Sequence, residues 1–379
     1  MNILTVNIGG SSSKLGLHTL AQPNTDVLSC YETGLTAEEA YGLLHSFLEN
    51  KAQSVGAICH RIVHAGPFHT EPQLITADVI AAIEEFSHIA PNHNPQALAW
   101  IRACEDFFKA SIPQFAVFDT GHFSNLPEVA SRYAVPAELS RPRLGFHGIA
   151  HQQMQEFVKG EQSGPYENTR VISLQLGSGC SIAASVGGRP IDTSMGYTPL
   201  EGLMMATRAG DIDPGLLLHL MKEEQLRPEE LEKILYEGSG LIGVSGESAD
   251  MGELLMSGTP QANLAVDMFC YRIKKYIGAY MAALGGVDWI IFSGGIGEKA
   301  PTIRLKVLQN LEQFGIAVDV DANAKAVKTT AEINLPDQPV RIAVLSCDEN
   351  RLMAELTRQM QFSPNKVTPR HFHAGNNHG

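Results

Sequence analysis

No apolar run in the 379 residues approaches the roughly 20 needed to cross a bilayer, so a helical membrane span is excluded. The start, MNILTVNIGG, lacks a basic segment followed by a long apolar core, and the chain is expected to stay in the cytoplasm. Cysteines are few and scattered. Cys30, Cys59, Cys104, Cys180, Cys270 and Cys347 contain no C-x-x-C pair, which fits buried reduced thiols better than a disulfide framework or a zinc site. Positive charge is scarce too: 28 Lys and Arg against 41 Asp and Glu leave a net charge of -13, which argues against nonspecific nucleic-acid binding. It does not argue against a phosphorylated ligand, whose field is set by a few nearby residues.

What is present describes a globular protein. A hydrophobic content of 44% with 18% charged residues is ordinary for a packed domain, and the length suffices for two. Residues 3–6 read as a short apolar strand, 7–13 as a Gly/Ser turn and 14–20 as a second strand. The design recurs about 170 residues later: 171–176 is a strand, 177–179 a turn, 180–186 a strand, and Gly187-Gly188 turns into 189–193. Either hairpin alone would be ordinary, but the pair offers backbone N–H groups to phosphates from two sides of a cleft. A third glycine loop follows the clearest helical stripe, Val266, Phe269, Ile273, Ile277, Met281 and Leu284, which Gly285-Gly286 ends. There 287–292 is expected to be a buried strand, 293–298 a glycine turn, and roughly 301–313 a helix, an order that brings backbone close to a nucleotide.

Residues 197–214, YTPLEGLMMATRAGDIDP, hold neither period for long and set Arg208 among glycines and carboxylates. A rigid loop presenting a guanidinium suits a planar carboxylate or a phosphoryl group. One exposed loop arginine would be the commoner reading were it alone. With DTSMG at 192–196 before it, the stretch resembles a signature of the acetate kinase family, the short-chain acyl-phosphate-forming kinases. The resemblance extends to VNIGGSSSK (6–14), HRIVH (60–64), APNHNP (90–95), VFDT (117–120), GFHG (145–148) with His151, GGIGE (294–298) and CDE (347–349).

That resemblance implies an α/β fold of two duplicated actin-like (ribonuclease H-like) domains around a nucleotide cleft. The first domain would be 1–150, joined by a C-terminal helix 350–362; the second, nucleotide-binding domain would be 151–349. Residues 148–168 would hold the boundary, with 160–165 as a surface loop, and 363–379, with His371, His373 and His378, a flexible tail. It further implies phosphoryl transfer between ATP (or ADP in reverse) and a short-chain carboxylate with Mg²⁺ or Mn²⁺, in a homodimer. By the same resemblance Arg61 and Arg208 hold the carboxylate and phosphoryl oxygens, His147 donates a hydrogen bond to the transferring group, and Asp119 orders the arginine or the metal shell. Asn7 and Glu349 orient the hydrated metal. Ser11, Ser12 and Lys14 line the phosphates, and Gln175, Gly177, Ser178, Gly179, Asp250, Gly295, Gly297 and Glu298 bind the nucleotide with them. His93 steadies the acyl end, whose pocket is walled by Val63, Asn92, Phe146 and Pro199.

Each of these residues also has a plain structural reading: His147 as a turn histidine, Asp119 as a turn cap, Glu349 as a helix-start charge. Their joint occurrence in family order favours chemistry. The chain departs from the family at Gln175, where a histidine is usual, at Gly252, where an arginine near the adenosine is usual, and at Asn92, where an apolar residue is usual. Two other readings stay open: a kinase for another small carboxylate or another phosphate donor, and a non-catalytic nucleotide or acyl-phosphate sensor on the same fold.

Overall fold

The computed structural model describes residues 2–9, 13–19, 25–30, 34–49, 51–67, 69–91, 93–162 and 164–362. Among the described residues twelve strands form two six-stranded sheets. The first contains β1 (Asn2–Ile8), β2 (Ser13–Thr19), β3 (Thr25–Cys30), β4 (Val55–Ile62), β5 (Gln73–Leu74) and β6 (Gln114–Phe118), in the order β3-β2-β1-β4-β6-β5. The second contains β7 (Arg170–Leu176), β8 (Cys180–Val186), β9 (Arg189–Thr193), β10 (Trp289–Ser293), β11 (Ala331–Glu332) and β12 (Arg341–Val344), in the order β11-β12-β10-β7-β8-β9. Read from β3 and from β9 the two sheets are the same. Three antiparallel strands are followed by two parallel to the innermost and one antiparallel at the far edge. The chain is a duplicated, actin-like α/β fold.

Each sheet is covered on both faces, which explains why β1, β4, β7 and β10 are apolar runs rather than alternating strands. On the first, Leu4, Val6 and Ile58 pack with Leu44, Leu48, Trp100 and Cys104 of the helices Ala37–Leu48 and Asn94–Phe108. Its other face carries Ile3, Ala57 and Val117 against Leu352 and Met353 of the helix Glu349–Phe362. On the second sheet the 25-residue helix Pro260–Leu284 buries Phe269, Ile273 and Ile277 against Ile172, Leu174 and Ile290. Met154 and Val158 of the helix Gly148–Glu161 cover the opposite face with Val171 and Trp289. Among the described residues no helix is long and apolar enough to cross a membrane.

Several boundaries differ from the sequence reading. The first turn is shorter, because Asn7 and Ile8 still pair with Lys14 and Ser13. The expected glycine turn at 293–298 is one left-handed residue, Gly294, opening a short helix, Gly294–Lys299. The following helix is Pro301–Leu308, not 301–313, since Gln309 is extended and Asn310 adopts positive φ. The long helix starts six residues before Val266: Thr259 caps it, accepting from Ala262 N, and Pro260 takes the first turn. β10 begins at Trp289, because Asp288 is drawn into an ion pair with Arg170. The span 148–168 is largely helix rather than linker, and the 160–165 loop is cut to its last residues because the helix runs through Glu161. Asn92, Ser11, Ser12 and the tail 363–379 lie outside the described residues.

Candidate active site

The parallel strands of both sheets point their carboxyl ends at one cleft, the usual position for ligands in open α/β sheets. From the first sheet come Asn7 near the end of β1, Arg61 near the end of β4, and Asp119 one residue past β6. From the second come Gln175 near the end of β7 and the Gly294–Lys299 helix after β10. A cavity of about 390 Å³ is lined by Asn7, Lys14, Gln175, Gly294, Gly295, Glu298, Lys299, Cys347, Asp348, Glu349 and Asn350. The carboxylate Oε1 of Glu298 accepts from Gly294 N (3.2 Å), steadying the start of the glycine helix.

At the base of this cleft lies one connected polar cluster. Arg61, 8% exposed, donates through Nε and Nη2 to the two oxygens of Asp119, 1% exposed, at 3.3 and 2.9 Å. Its Nη1 donates to Ile8 O (3.1 Å) and Asn7 Oδ1 (3.4 Å), and Asn7 Nδ2 donates to Glu349 Oε2 (2.8 Å). Burial alone would raise the Asp119 carboxyl, but Arg61 and His147 outweigh it and hold it below the usual carboxylate range. Burial opposes the Arg61 charge as well, and Asp119 and Glu349 more than restore it. Both groups therefore stay ionised. Removing either partner of such a pair leaves a buried charge unpaired, at a cost of about 3–5 kcal/mol.

His147 precedes the helix Gly148–Glu161 in a left-handed conformation, φ 60° and ψ 28°. Asp119 holds it there: Oδ2 accepts from His147 N (2.7 Å), and the Asp119 carbonyl accepts from Gly148 N (2.8 Å). A Cβ at 148 would sit 2.3 Å from that carbonyl oxygen, so only glycine fits. The imidazole Nδ1 lies 2.9 Å from Ser181 Oγ, and its other edge faces Gly179. Burial, first of all, keeps this ring below the ordinary imidazole pKa.

Arg208 arrives at the same point from the signature loop. A side-chain carbon at Gly179 would lie 3.4 Å from His147 Nε2 and 3.7 Å from Arg208 Nη1, so ring and guanidinium converge on the Gly177–Gly179 turn. Arg208 Nη1 donates to Pro199 O (3.2 Å), and among the described residues no carboxylate pairs with it. Burial lowers its pKa, so its charge is held at a cost that a nearby anion would offset. His93 is close enough to Arg61, Arg208 and His147 to feel all three; burial, then the two arginines, push it down to about 3, so it is a neutral imidazole. Beside it, Val63 and Phe146 join one apolar cluster with Ile89 and Ala90.

The structure thus brings together Asn7, Arg61, His93, Asp119, His147, Arg208 and Glu349. Lys14 and Gln175 line the cleft with Gly295, and Ala206 N donates to Ser178 O (3.1 Å), tying the second hairpin turn to the arginine loop. Five expected nucleotide residues are not in the cavity lining: Gly177, Ser178 and Gly179, which form the turn where His147 and Arg208 converge, and Asp250 and Gly297. Asp250 caps the helix Met251–Ser257 by accepting from Glu253 N (3.0 Å), and Gly297 is buried under Leu176. Missed in the sequence were Ser181 and Ser173, and the brace of the arginine loop. In that brace Arg143 Nη2 donates to Glu201 Oε1 (2.8 Å), Tyr133 OH donates to Glu201, and Tyr197 N donates to Tyr133 Oη (2.9 Å). The PLEG glutamate was a visible signal; its partners, 58 and 68 residues away, were not.

The sequence profile of the Acetokinase family matches residues 24–355. The chain belongs to the acetokinase family. It is 39% identical over 394 residues to the acetate kinase of Brachyspira hyodysenteriae, covering 93% of this chain and 98% of that protein. The crystal structure of Porphyromonas gingivalis acetate kinase is similar with a TM-score of 0.85 at 34% identity, covering 95% of this chain and 99% of the other. A propionate kinase from Francisella tularensis subsp. tularensis SCHU S4 is similar with a TM-score of 0.83 at 32% identity, covering 94% and 98%.

Proposed function

We propose that the chain transfers the terminal phosphoryl group of ATP to a short-chain carboxylate, with acetate the first acceptor to test, giving an acyl phosphate and ADP. The observation that carries this reading is Arg208, a half-buried cation with no carboxylate partner among the described residues, facing the His147 ring beside a second arginine that is paired with Asp119. A carboxylate of this kind ionises near pH 4–5, roughly as side-chain carboxyls do, so no strong base is needed at neutral pH. The carboxylate oxygen attacks the terminal phosphorus while the bond to the ADP bridging oxygen breaks; no proton changes hands. The work left to the protein is to hold two anions together in line.

Arg208 and Arg61 would clamp acceptor and phosphoryl oxygens, His147 would donate to the transferring group, and Asp119 would lock Arg61 and the His147 backbone. Val63, Phe146 and Pro199 would wall the acyl end with Asn92, and His93 would close it. Lys14, Ser11, Ser12, Gln175, Gly177, Ser178, Gly179 and Gly295 would surround the phosphates. Among the described residues no three His, Cys, Asp or Glu side chains cluster into a metal cage. Mg²⁺ needs none, since it takes one or two carboxylates with phosphates and retained waters. Asn7 and Glu349, hard oxygen donors joined at the cleft, fit that demand and would hold Mg²⁺ or Mn²⁺, which when bound neutralises charge on the phosphate oxygens.

We place the first domain at 1–150 with the helix 350–362 and the second at 151–349, a division supported by Leu352 and Met353 packing on Ile3 and Ala57. We also propose a homodimer. Leu264, Met268 and Tyr271 form an exposed stripe on Pro260–Leu284 at i, i+4, i+7 spacing, beside exposed Leu255 and Met256. The similarity to a propionate kinase favours propionate as the second acceptor. A hydroxamate assay over a panel of carboxylates and phosphate donors tests the reading. Acyl phosphate from acetate or propionate with ATP is expected; none from any pair would leave the sensor reading.

A further inference from the structure

We propose that Ser181, His151 and Ser173 form a hydrogen-bonded relay that decides which ring nitrogen of His147 carries the proton, making them positioning residues for the transfer. The inference rests on the phosphoryl-transfer reading above. The relay is linear and lies behind the site. His147 Nδ1 is 2.9 Å from Ser181 Oγ, Ser181 Oγ is 2.8 Å from His151 Nε2, and His151 Nδ1 is 2.7 Å from Ser173 Oγ. His151, Ser173 and Ser181 have no exposed surface, so protein groups alone must satisfy their polar atoms.

Local geometry explains the alignment. His147 and His151 are four residues apart at the start of one helix, so their rings share a face. In the antiparallel β7–β8 pair Ser173 stands opposite Ala183 and Gln175 opposite Ser181, so the two serines are diagonal neighbours on one sheet face. That is the face on which Gly148–Glu161 lies, with Met154 and Val158 packed on Val171.

Burial, ahead of neighbouring charges, holds both imidazoles below their ordinary pKa, so each ring carries one proton and the question is where. Two arrangements link the four groups. In the outward one, Ser173 O–H donates to His151 Nδ1, His151 Nε2–H donates to Ser181 Oγ, and Ser181 O–H donates to His147 Nδ1. His147 then presents Nε2–H to the cleft. In the reverse one, His147 Nδ1–H donates to Ser181, Ser181 to His151 Nε2, and His151 Nδ1–H to Ser173, leaving His147 Nε2 bare. Ser173 decides between them. Among the described residues its hydroxyl has one hydrogen-bond partner, His151 Nδ1. The reverse arrangement would strand a buried O–H with no acceptor and impose its full desolvation penalty, whereas the outward one leaves only spare lone pairs. The relay therefore turns an N–H donor toward the gap beside Arg208 and Gly179, where an anionic oxygen can accept it.

The test uses the full-length protein with ¹⁵N-labelled histidine, ligand-free near neutral pH. Long-range ¹H–¹⁵N correlations read the His147 tautomer, assigned by its loss in His147→Gln, and hydroxamate kinetics run alongside. Wild type should carry the proton on Nε2. Ser181→Ala should mix the tautomers and lower kcat about tenfold, with both KM values within about twofold, because the donor acts in the transition state. Ser181→Thr, which keeps the hydroxyl, should restore tautomer and most of kcat. Ser173→Ala, remote from substrate, should shift the tautomer balance with a smaller loss. A wild-type proton on Nδ1, or a Ser181→Ala protein matching wild type in tautomer and kcat, overturns the relay. An Nε2 proton in a protein inactive on every carboxylate would keep the relay and remove the phosphoryl-transfer reading.

Discussion

Arg208 and the desolvated histidines carry separate predictions, one about activity and one about folding. Arg208 has desolvation against it and, among the described residues, no carboxylate in its favour, a cost that a bound anion would offset. Replacing it with alanine should lower kcat about 10²–10³-fold, the usual loss for one preorganised donor, and lysine should restore little because it lacks the bidentate fork. Near-wild-type turnover in a folded Arg208→Ala protein would contradict the assignment. The histidines act on stability. Burial pushes His60, His64 and His122 down to about 4 and His93 to about 3, against roughly 6.5 in an unfolded chain. Between those values the unfolded chain binds more protons than the folded one, so stability rises with pH and is lost as pH falls from about 6.5 toward 4. Asp119, held below the usual carboxylate range, acts in the same sense only at lower pH, so the window above pH 5 belongs to histidine. Urea midpoints should fall measurably between about pH 7 and 5, since a tenfold loss of proton affinity on folding is worth about 1.4 kcal/mol per histidine. A flat profile would mean these rings reach solvent.

The helix Gly148–Glu161 is the element on which the site turns, and its two glycines separate a steric demand from a mere preference. At Gly148 a methyl group would meet the Asp119 carbonyl at 2.3 Å, a backbone atom that cannot step aside without breaking the 2.8 Å bond it accepts. At Gly160 nothing lies within 4 Å. Gly148→Ala should therefore destabilise by about 1–3 kcal/mol and displace His147, lowering kcat, whereas Gly160→Ala should be neutral or stabilise by up to about 1 kcal/mol. Thermal melts and kinetics of the two variants check this, and equal behaviour would refute it. Much of this element level was legible beforehand. The hairpin at 171–186 announced itself through apolar runs broken by glycine, and the 266–284 stripe through its period. The start of that helix was hidden because Leu264 and Met268 face outward and interrupt the apolar periodicity that burial imposes. Gly294–Lys299 read as a turn because three glycines in six residues argue against a helix, and only Gly294 needed the left-handed conformation. In the site itself, motif order pointed to Arg61, Asp119, His147 and Arg208. Ser181 and Ser173 escaped because their role comes from cross-strand register and a helix laid over them, neither of which any spacing encodes.

At the scale of the molecule, duplication gives two sheets whose carboxyl ends share one cleft, and the chain crosses between them beside it. Ile149 packs with the first sheet while Met154 and Val158 pack with the second. Leu345 packs with the second sheet and Leu352 with the first, so Asp348 and Glu349 lie on the return crossing. Both crossings thus occur next to groups proposed above for the site, His147 at one and Glu349 at the other. The walls of the cavity come from different sheets, Asn7 and Lys14 from the strands of one, Gln175 from a strand of the other and Gly295 from the helix that follows β10. A ligand that bonds both walls favours whichever arrangement brings them closer, and can shift the balance by no more than its difference in affinity for the two. The chemistry requires such a difference, because water left beside the phosphoryl group would compete with the carboxylate. Nucleotide, Mg²⁺ and carboxylate together should therefore make the particle more compact in small-angle X-ray scattering than any one alone. On the proposed reading Arg208→Ala should weaken that response, since Arg208, which converges with His147 on the second sheet's Gly177–Gly179 turn, and Arg61 from the first sheet would share the anions. An unchanged radius of gyration on saturation with all three would show that the cleft is already closed or that its walls do not move.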